Sequence, residues 1–257
     1  MEIFDTHAHY DDRAFDEDRE ELLKALTDNG ITRIVNISED IRTSENTVRL
    51  SKSHDFIYGA VGIHPNDCAD TSEDDIEALR DMAEKNDKIV AIGEIGLDYH
   101  YDEPPKDIQK KWFERQIELA ASLKLPIVIH SRDAAQDTLD IIKGSAAPST
   151  GGVMHCYAYS KEMAKTYVDM GFFIGVGGVV TFKNARKLVE TVEYIPIESI
   201  VVETDCPYLA PVPFRGKRNS SLYLPYVIEK IAEIKGMDPE EVEKITFENA
   251  KRLYNLS

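Results

Sequence analysis

Short apolar, β-branched runs alternate with segments of helical spacing along this 257-residue chain, and that alternation constrains its fold more than any other feature. The runs are Glu2–Thr6, Ile31–Ile37, Phe56–Ile63, Ile89–Ile95, Pro126–His130, Gly152–Tyr157, Phe172–Val176 and Ile200–Thr204. The first helical segment, Asp16–Asn29, sets Leu22, Leu23 and Leu26 on one side and polar residues on the other. Others begin near Thr43, Ser72, Pro105, Asp133, Lys161, Asn184 and Ser220, and a last one, near Pro239–Tyr254, has no strand after it. Strands separated by helices predict a parallel sheet. Eight such units in this length suit a closed barrel better than an open doubly wound sheet. The expected fold is therefore α/β, a single (β/α)8 barrel over residues 1–257 with an extra C-terminal helix. Gly175–Gly178 lacks the spacing of a nucleotide-binding glycine loop and is expected to be strand-end turn chemistry.

Composition narrows the class. Hydrophobic residues make up 42% and charged residues 30%, which is ordinary for a globular protein. No apolar run approaches the ~18 residues of a membrane span, and MEIFDTHAHY has no signal-peptide character. Cys68, Cys156 and Cys206 form no C-x-x-C pair, which predicts a reducing, cytoplasmic setting without disulfides. The net charge of −17 opposes extended coating of nucleic acid through a basic face. A compact site handling one or two phosphates is still allowed, because a bound metal resets the local charge.

The histidines fall at strand ends. His7 and His9 follow the first run, His64 ends the third, His130 the fifth, and His155 lies in the sixth. Glu94 sits at the end of the fourth run and Asp205 at the end of the eighth. In a barrel these ends converge on one face. His7-x-His9 has the period that points two imidazoles to one side of a strand. Imidazole with carboxylate suits zinc, manganese or similar divalent ions. Six such groups are too many for one open tetrahedral site and enough for two adjacent metals sharing a carboxylate. His64, before a proline, is either a substrate hydrogen-bonder or a loop-fixing group. His54 reads as a surface residue, and His100 as a loop residue with a lesser claim on substrate. Cys156 and Cys206 read as packing residues, and Ser131 lacks a free His–Asp relay.

The ordered motifs D-T-H-A-H (Asp5–His9), G-I-H-P (Gly62–Pro65), G-E-I-G-L-D (Gly93–Asp98), I-H-S-R-D (Ile129–Asp133), H-C-Y (His155–Tyr157) and E-T-D-C-P-Y-L (Glu203–Leu209) resemble the TatD family. Phe214–Asn219 and Thr246–Leu253 agree in order, so the resemblance covers essentially the whole chain. TatD proteins are a branch of the amidohydrolase-like TIM barrels and include divalent-metal-dependent DNases with 3′ exonuclease action. The resemblance implies two divalent cations per subunit (magnesium, manganese or zinc). It assigns His7, His9 and Asp205 to one, His130 and His155 to the other, and Glu94 to both. Glu94 stands where many relatives in the wider superfamily carry a modified lysine.

From these assignments a mechanism is expected. Two metals about 3.5–4 Å apart lower the pKa of a water held between them, and Asp205 accepts its proton. Arg132, Arg215 and Lys217 are positioned to meet phosphate charge, while Arg218 reads as a solvated surface charge. Glu203 and Asp5 either orient the histidines or act as internal hydrogen-bond partners of the barrel. The expected substrate is single-stranded DNA ends, with no membrane and no obligate protein partner. The rival readings are hydrolysis of another bond, such as an amide or an aminoacyl-RNA ester, and a silent metal-stabilised barrel.

Overall fold

The computed structural model describes residues 2–257. Eight strands, β1 (Ile3–Ala8), β2 (Ile31–Ile37), β3 (Ile57–Val61), β4 (Ile89–Asp98), β5 (Ile127–Arg132), β6 (Gly152–Met154), β7 (Phe172–Val176) and β8 (Ile200–Val202), form one sheet in chain order. A parallel bridge between Ala8 and Cys206 joins β1 to the segment after β8. This is the (β/α)8 barrel that the alternation predicts. Every residue of β1 and β4 is buried, as strands covered on both faces must be.

The helices are α1 (Arg19–Asp28), α2 (Ile41–Ser53), α3 (Glu73–Glu84), α4 (Lys106–Leu123), α5 (Ala135–Gly144), α6 (Ala147–Thr150), α7 (Lys161–Asp169), α8 (Arg186–Tyr194), α9 (Leu224–Lys235) and α10 (Pro239–Leu253). The starts of α2, α3 and α10 follow capping chemistry. Asp40 and Ser72 open α2 and α3 with reciprocal side-chain and backbone bonds to Thr43 and Asp75. Asp238 caps α10, whose first residue is Pro239, and Gly236 closes α9 in the left-handed region at φ 65°.

The chain packs as two compact units. The first comprises the segment up to Asn36, Cys156–Asp169 and Phe173–Ser257. In it the extra helix α10 covers β1. The Phe4 ring lies 6.1 Å from Phe247 and 5.9 Å from Tyr254, and the Tyr254 hydroxyl donates to Thr6 O at 2.7 Å. The second comprises Ile37–His155 and Met170–Phe172. Here two buried glutamines on α4, two turns apart, grip the backbone as a paired strand would. Gln116 bonds both N–H and C=O of Ile63, and Gln109 bonds both of Asp98.

The strand bounds differ from the expected ones in informative places. β4 does not stop at Ile95 but runs to Asp98, so Glu94 lies inside the strand. Gly96, one residue past the expected end, pairs with His130, and a Cβ there would lie 1.9 Å from His130 O. Glycine continues the strand because β5 passes too close for a side chain. β1 likewise extends through His7, β6 stops one residue before His155, and the single-turn α6 was not expected.

Candidate metal centre

In the first unit, strand alternation places Asp5 and His7 on β1, with His9 just past its end. Two backbone bonds fasten this segment to the one after β8: Asp205 N donates to His7 O at 2.9 Å, and His9 N to Cys206 O at 2.9 Å. Asp205 takes φ 56°, a left-handed conformation that aspartate tolerates better than most residues. Three donor atoms meet as a result. His7 Nε2 lies 3.2 Å from His9 Nε2, and Asp205 Oδ1 lies 3.3 Å from His9 Nε2 and 3.8 Å from His7 Nε2. The point equidistant from these atoms is about 2.0 Å from each, the bond length that imidazole and carboxylate make to a divalent ion such as zinc. The three groups therefore fit a metal ion in both chemistry and spacing.

Beneath the triangle sits Asp5, fully buried. Its carboxylate accepts from Ser221 Oγ at 2.6 Å, Thr204 Oγ1 at 2.7 Å, Thr204 N at 3.1 Å and His7 N at 3.2 Å. Burial pushes its carboxyl up to about 7, while these four donors pull the other way. Asp5 thus holds the backbone that carries His7 and Asp205. Tyr10 completes the network, its hydroxyl accepting from Ser221 N. Glu203, 1% exposed, accepts from Cys156 N at 2.7 Å. Its carboxylate fills the space beside Gly175, where a Cβ would lie 2.3 Å from Oε2. Gly175 thus lies inside β7, as the run Phe172–Val176 predicts, and makes room for an acid, and the expected strand-end turn follows at Gly178. Cys206 is fully buried, and burial holds its thiol neutral.

In the second unit, Glu94 Oε1 is ringed by three imidazoles. His130 Nδ1 is 2.8 Å away, His64 Nε2 3.8 Å and His155 Nε2 3.9 Å. His64, Glu94 and His130 each offer a ligand atom within 4.8 Å of the others. His130 is held from its far side too, its Nε2 3.2 Å from Asp98 Oδ2. Burial opposes a charge on this ring, but the hydrogen bonds to Asp98 and Glu94 outweigh it and lift the imidazolium to about 9. Burial likewise opposes charge on Asp98, yet His130, the His100 N–H and Asn66 bring its carboxyl down to about 2. His64 fixes its loop, its Nδ1 accepting from Asn66 N at 3.1 Å, while its Nε2 faces Glu94.

Asp98 and Asn66 are the site neighbours that the sequence reading passed over. A signal for Asp98 was present, since Glu94 and Asp98 are four apart on one strand and share a side. Among the remaining candidates, Arg132 is exposed past the core of β5, 5.7 Å from the Tyr101 ring. Arg215 stacks its guanidinium 4.4 Å over Phe182 in the loop after β8. Arg218 is not simply solvated: it pairs with both Asp18 oxygens and with Ala14 O. His100 lies 3.4 Å from Asp133, and the Ser131 hydroxyl meets Thr138.

Comparison with known proteins agrees with this architecture. Residues 4–255 match the model of the TatD related DNase family. The chain is 46% identical to the uncharacterized metal-dependent hydrolase YabD of Bacillus subtilis (strain 168), over 99% of this chain and 100% of the relative. It is 30% identical to the 3′-5′ ssDNA/RNA exonuclease TatD of Salmonella typhimurium (strain LT2), over 99% of each chain. The crystal structure of YjjV, a TatD homolog from Escherichia coli K12, superposes with a TM-score of 0.93 at 29% identity, over 99% of this chain and 98% of that one. The chain belongs to the TatD related DNase family of metal-dependent hydrolases.

Proposed function

We propose that this protein hydrolyses phosphodiester bonds at single-stranded nucleic-acid ends with two divalent cations. The observation that carries the reading is the His7–His9–Asp205 triangle, which has the size of a divalent-ion site and adjoins a cationic loop. His7, His9 and Asp205 would hold one cation and His130 and His155 the second, with Glu94 the carboxylate that the resemblance assigns to both. When bound, the ions supply Lewis-acid activation of water and neutralise phosphate charge. The Salmonella relative's action on single-stranded DNA and RNA supports the same substrate class.

The chain's own groups do the rest. Asp205 is the most exposed corner of its triangle, with a side chain 20% exposed against 1% for His7 and 9% for His9. It is the corner open to accept a proton from the attacking water. Asp5 and Thr204 keep that corner in place through the backbone. Asp98 holds the His130 ring in orientation from the side opposite Glu94. Arg215, in the loop that follows Asp205, meets phosphate charge.

The test is metal-reconstituted protein on end-labelled single-stranded DNA, RNA and aminoacyl-RNA in parallel. Stepwise shortening from the 3′ end, abolished by chelation, is expected. Release of the amino acid with an intact polynucleotide would overturn the reading in favour of ester hydrolysis.

A further inference from the structure

From Cys206 to Ile228 the chain runs 23 residues without an aspartate or glutamate, although 47 of its 257 residues are acidic. Arg215, Lys217 and Arg218 fall inside this run. In the first unit the loop forms one wall of a cleft of about 500 Å³, lined by Pro207, Tyr208, Lys217 and Arg218 on one side and by Asp12 and Arg13 on the other. Both walls grow out of the metal triangle. Asp12 N donates to His9 O at 3.0 Å, and Tyr208 N donates to Asp205 O at 2.8 Å. Asn219 ties the far end of the loop back, its N–H donating to Pro207 O and its side chain to Thr204 O.

The lining has two chemistries. Arg13 and Lys217 are exposed and make no ion pair among the described residues. Arg218 is neutralised by Asp18 and braced 4.9 Å over the Phe15 ring, so it clasps the walls together. Asp12 is the one acid in the lining, and its Oδ1 is committed to Ala14 N at 2.6 Å. Tyr208 is 56% exposed, the most exposed large hydrophobic side chain among the described residues. Its exposed aromatic face can stack on a planar group, and a planar partner with a negative charge suits this cleft.

We propose that this cleft is a nucleotide subsite beside the metal centre, in which the Tyr208 ring stacks on a base while Lys217 and Arg13 hold that nucleotide's phosphate. The assignment rests on the polynucleotide reading above and adds to it where the next nucleotide sits. Stacking on an aromatic face tolerates any base, which suits an enzyme that trims ends without regard to sequence. A chain of net charge −17 repels a polyanion at long range, so a groove lined by Arg13, Lys217 and Arg218 against the single acid Asp12 is what admits one.

The test is kcat/KM of the metal-loaded enzyme on a single-stranded oligothymidylate as NaCl rises from about 50 to 200 mM. Lys217→Gln and Arg13→Gln should each flatten the log–log salt slope by roughly 0.7, the share of one single-strand phosphate contact. Tyr208→Ala should raise KM roughly tenfold with kcat and the slope little changed, and Tyr208→Phe should restore KM, because the ring face does the work. Lys143→Gln, on the exposed end of α5, is the control that keeps the wild-type slope. Salt slopes for Lys217→Gln and Arg13→Gln equal to that of Lys143→Gln would overturn the subsite while leaving the nuclease reading intact. So would a Tyr208→Phe as impaired as Tyr208→Ala. A wild-type enzyme that does not shorten the oligonucleotide at all overturns both.

Discussion

Gly175→Ala is a one-methyl test of how the acid at Glu203 is held. The added Cβ would lie 2.3 Å from Oε2, 2.7 Å from Cδ and 2.9 Å from Oε1 of Glu203, where ordinary contact begins near 3.4 Å. The carboxylate must therefore retreat by about 1 Å from a position that is 1% exposed. Its Oε1 accepts from Cys156 N at 2.7 Å, and a retreat of that size breaks the bond. Overpacking of a close-packed interior costs roughly 1–3 kcal/mol. A buried, charge-assisted hydrogen bond adds roughly 1.5–3 kcal/mol. Together they predict a loss of about 2–5 kcal/mol, allowing for partial relaxation. For a chain of this size each kcal/mol moves Tm by roughly 2–4 °C, so Tm should fall by about 5–15 °C in differential scanning calorimetry. Gly144→Ala is the control. Nothing lies within 4 Å of a Cβ there, and the substitution should be neutral or stabilising by at most about 1 kcal/mol. Adding Glu203→Ala to Gly175→Ala should cost much less than the two separate losses added, because the small side chain vacates the contested volume. A Gly175→Ala protein that melts within about 2 °C of wild type would refute the argument, since it would mean that Glu203 gives way freely.

Three further substitutions address the chemistry. Glu94→Gln keeps the shape but removes the charge facing His130, His64 and His155, and metal analysis should find the second cation lost and hydrolysis nearly abolished; full metal content with a wild-type rate would end the shared-carboxylate model. Asp205→Asn can still offer an oxygen but cannot take a proton, so turnover should fall by ~10²–10⁴-fold with substrate still bound; a change of only a few fold would remove Asp205 as the base. Arg215→Ala should slow oligonucleotide cleavage by roughly ten- to a hundredfold, the worth of a charged hydrogen bond, and slow bis(p-nitrophenyl) phosphate cleavage less; equal losses on both would count against a contact with a neighbouring phosphate.

The comparison of sequence with structure is sharpest at β4. The apolar run Ile89–Ile95 marks the strand but not its end, which lies three residues further on at Asp98. Gly96 is required by the approach of His130 O on β5, a neighbour 34 residues away. No local pattern distinguishes that glycine from one that ends a strand. The same confusion hid Asp98, whose pairing with His130 exists only because β4 runs on.

What the sequence determined by itself is whatever depends on period and order. Alternating apolar runs and helical segments make a parallel sheet in chain order, and acids and imidazoles at strand ends reach the same end of it. His7-x-His9 is a pair on one side of a strand wherever that strand lies. What only the tertiary structure decided are the contacts between residues far apart in the chain. Ser221 closes on Asp5 from 216 residues away. Arg218 is claimed by Asp18 across 200 residues and so becomes a brace between two walls. Glu203 occupies the volume that Gly175 leaves empty. Each depends on register and close packing, which set distances to fractions of an ångström, whereas hydrophobic periodicity tells only which side of an element a residue faces.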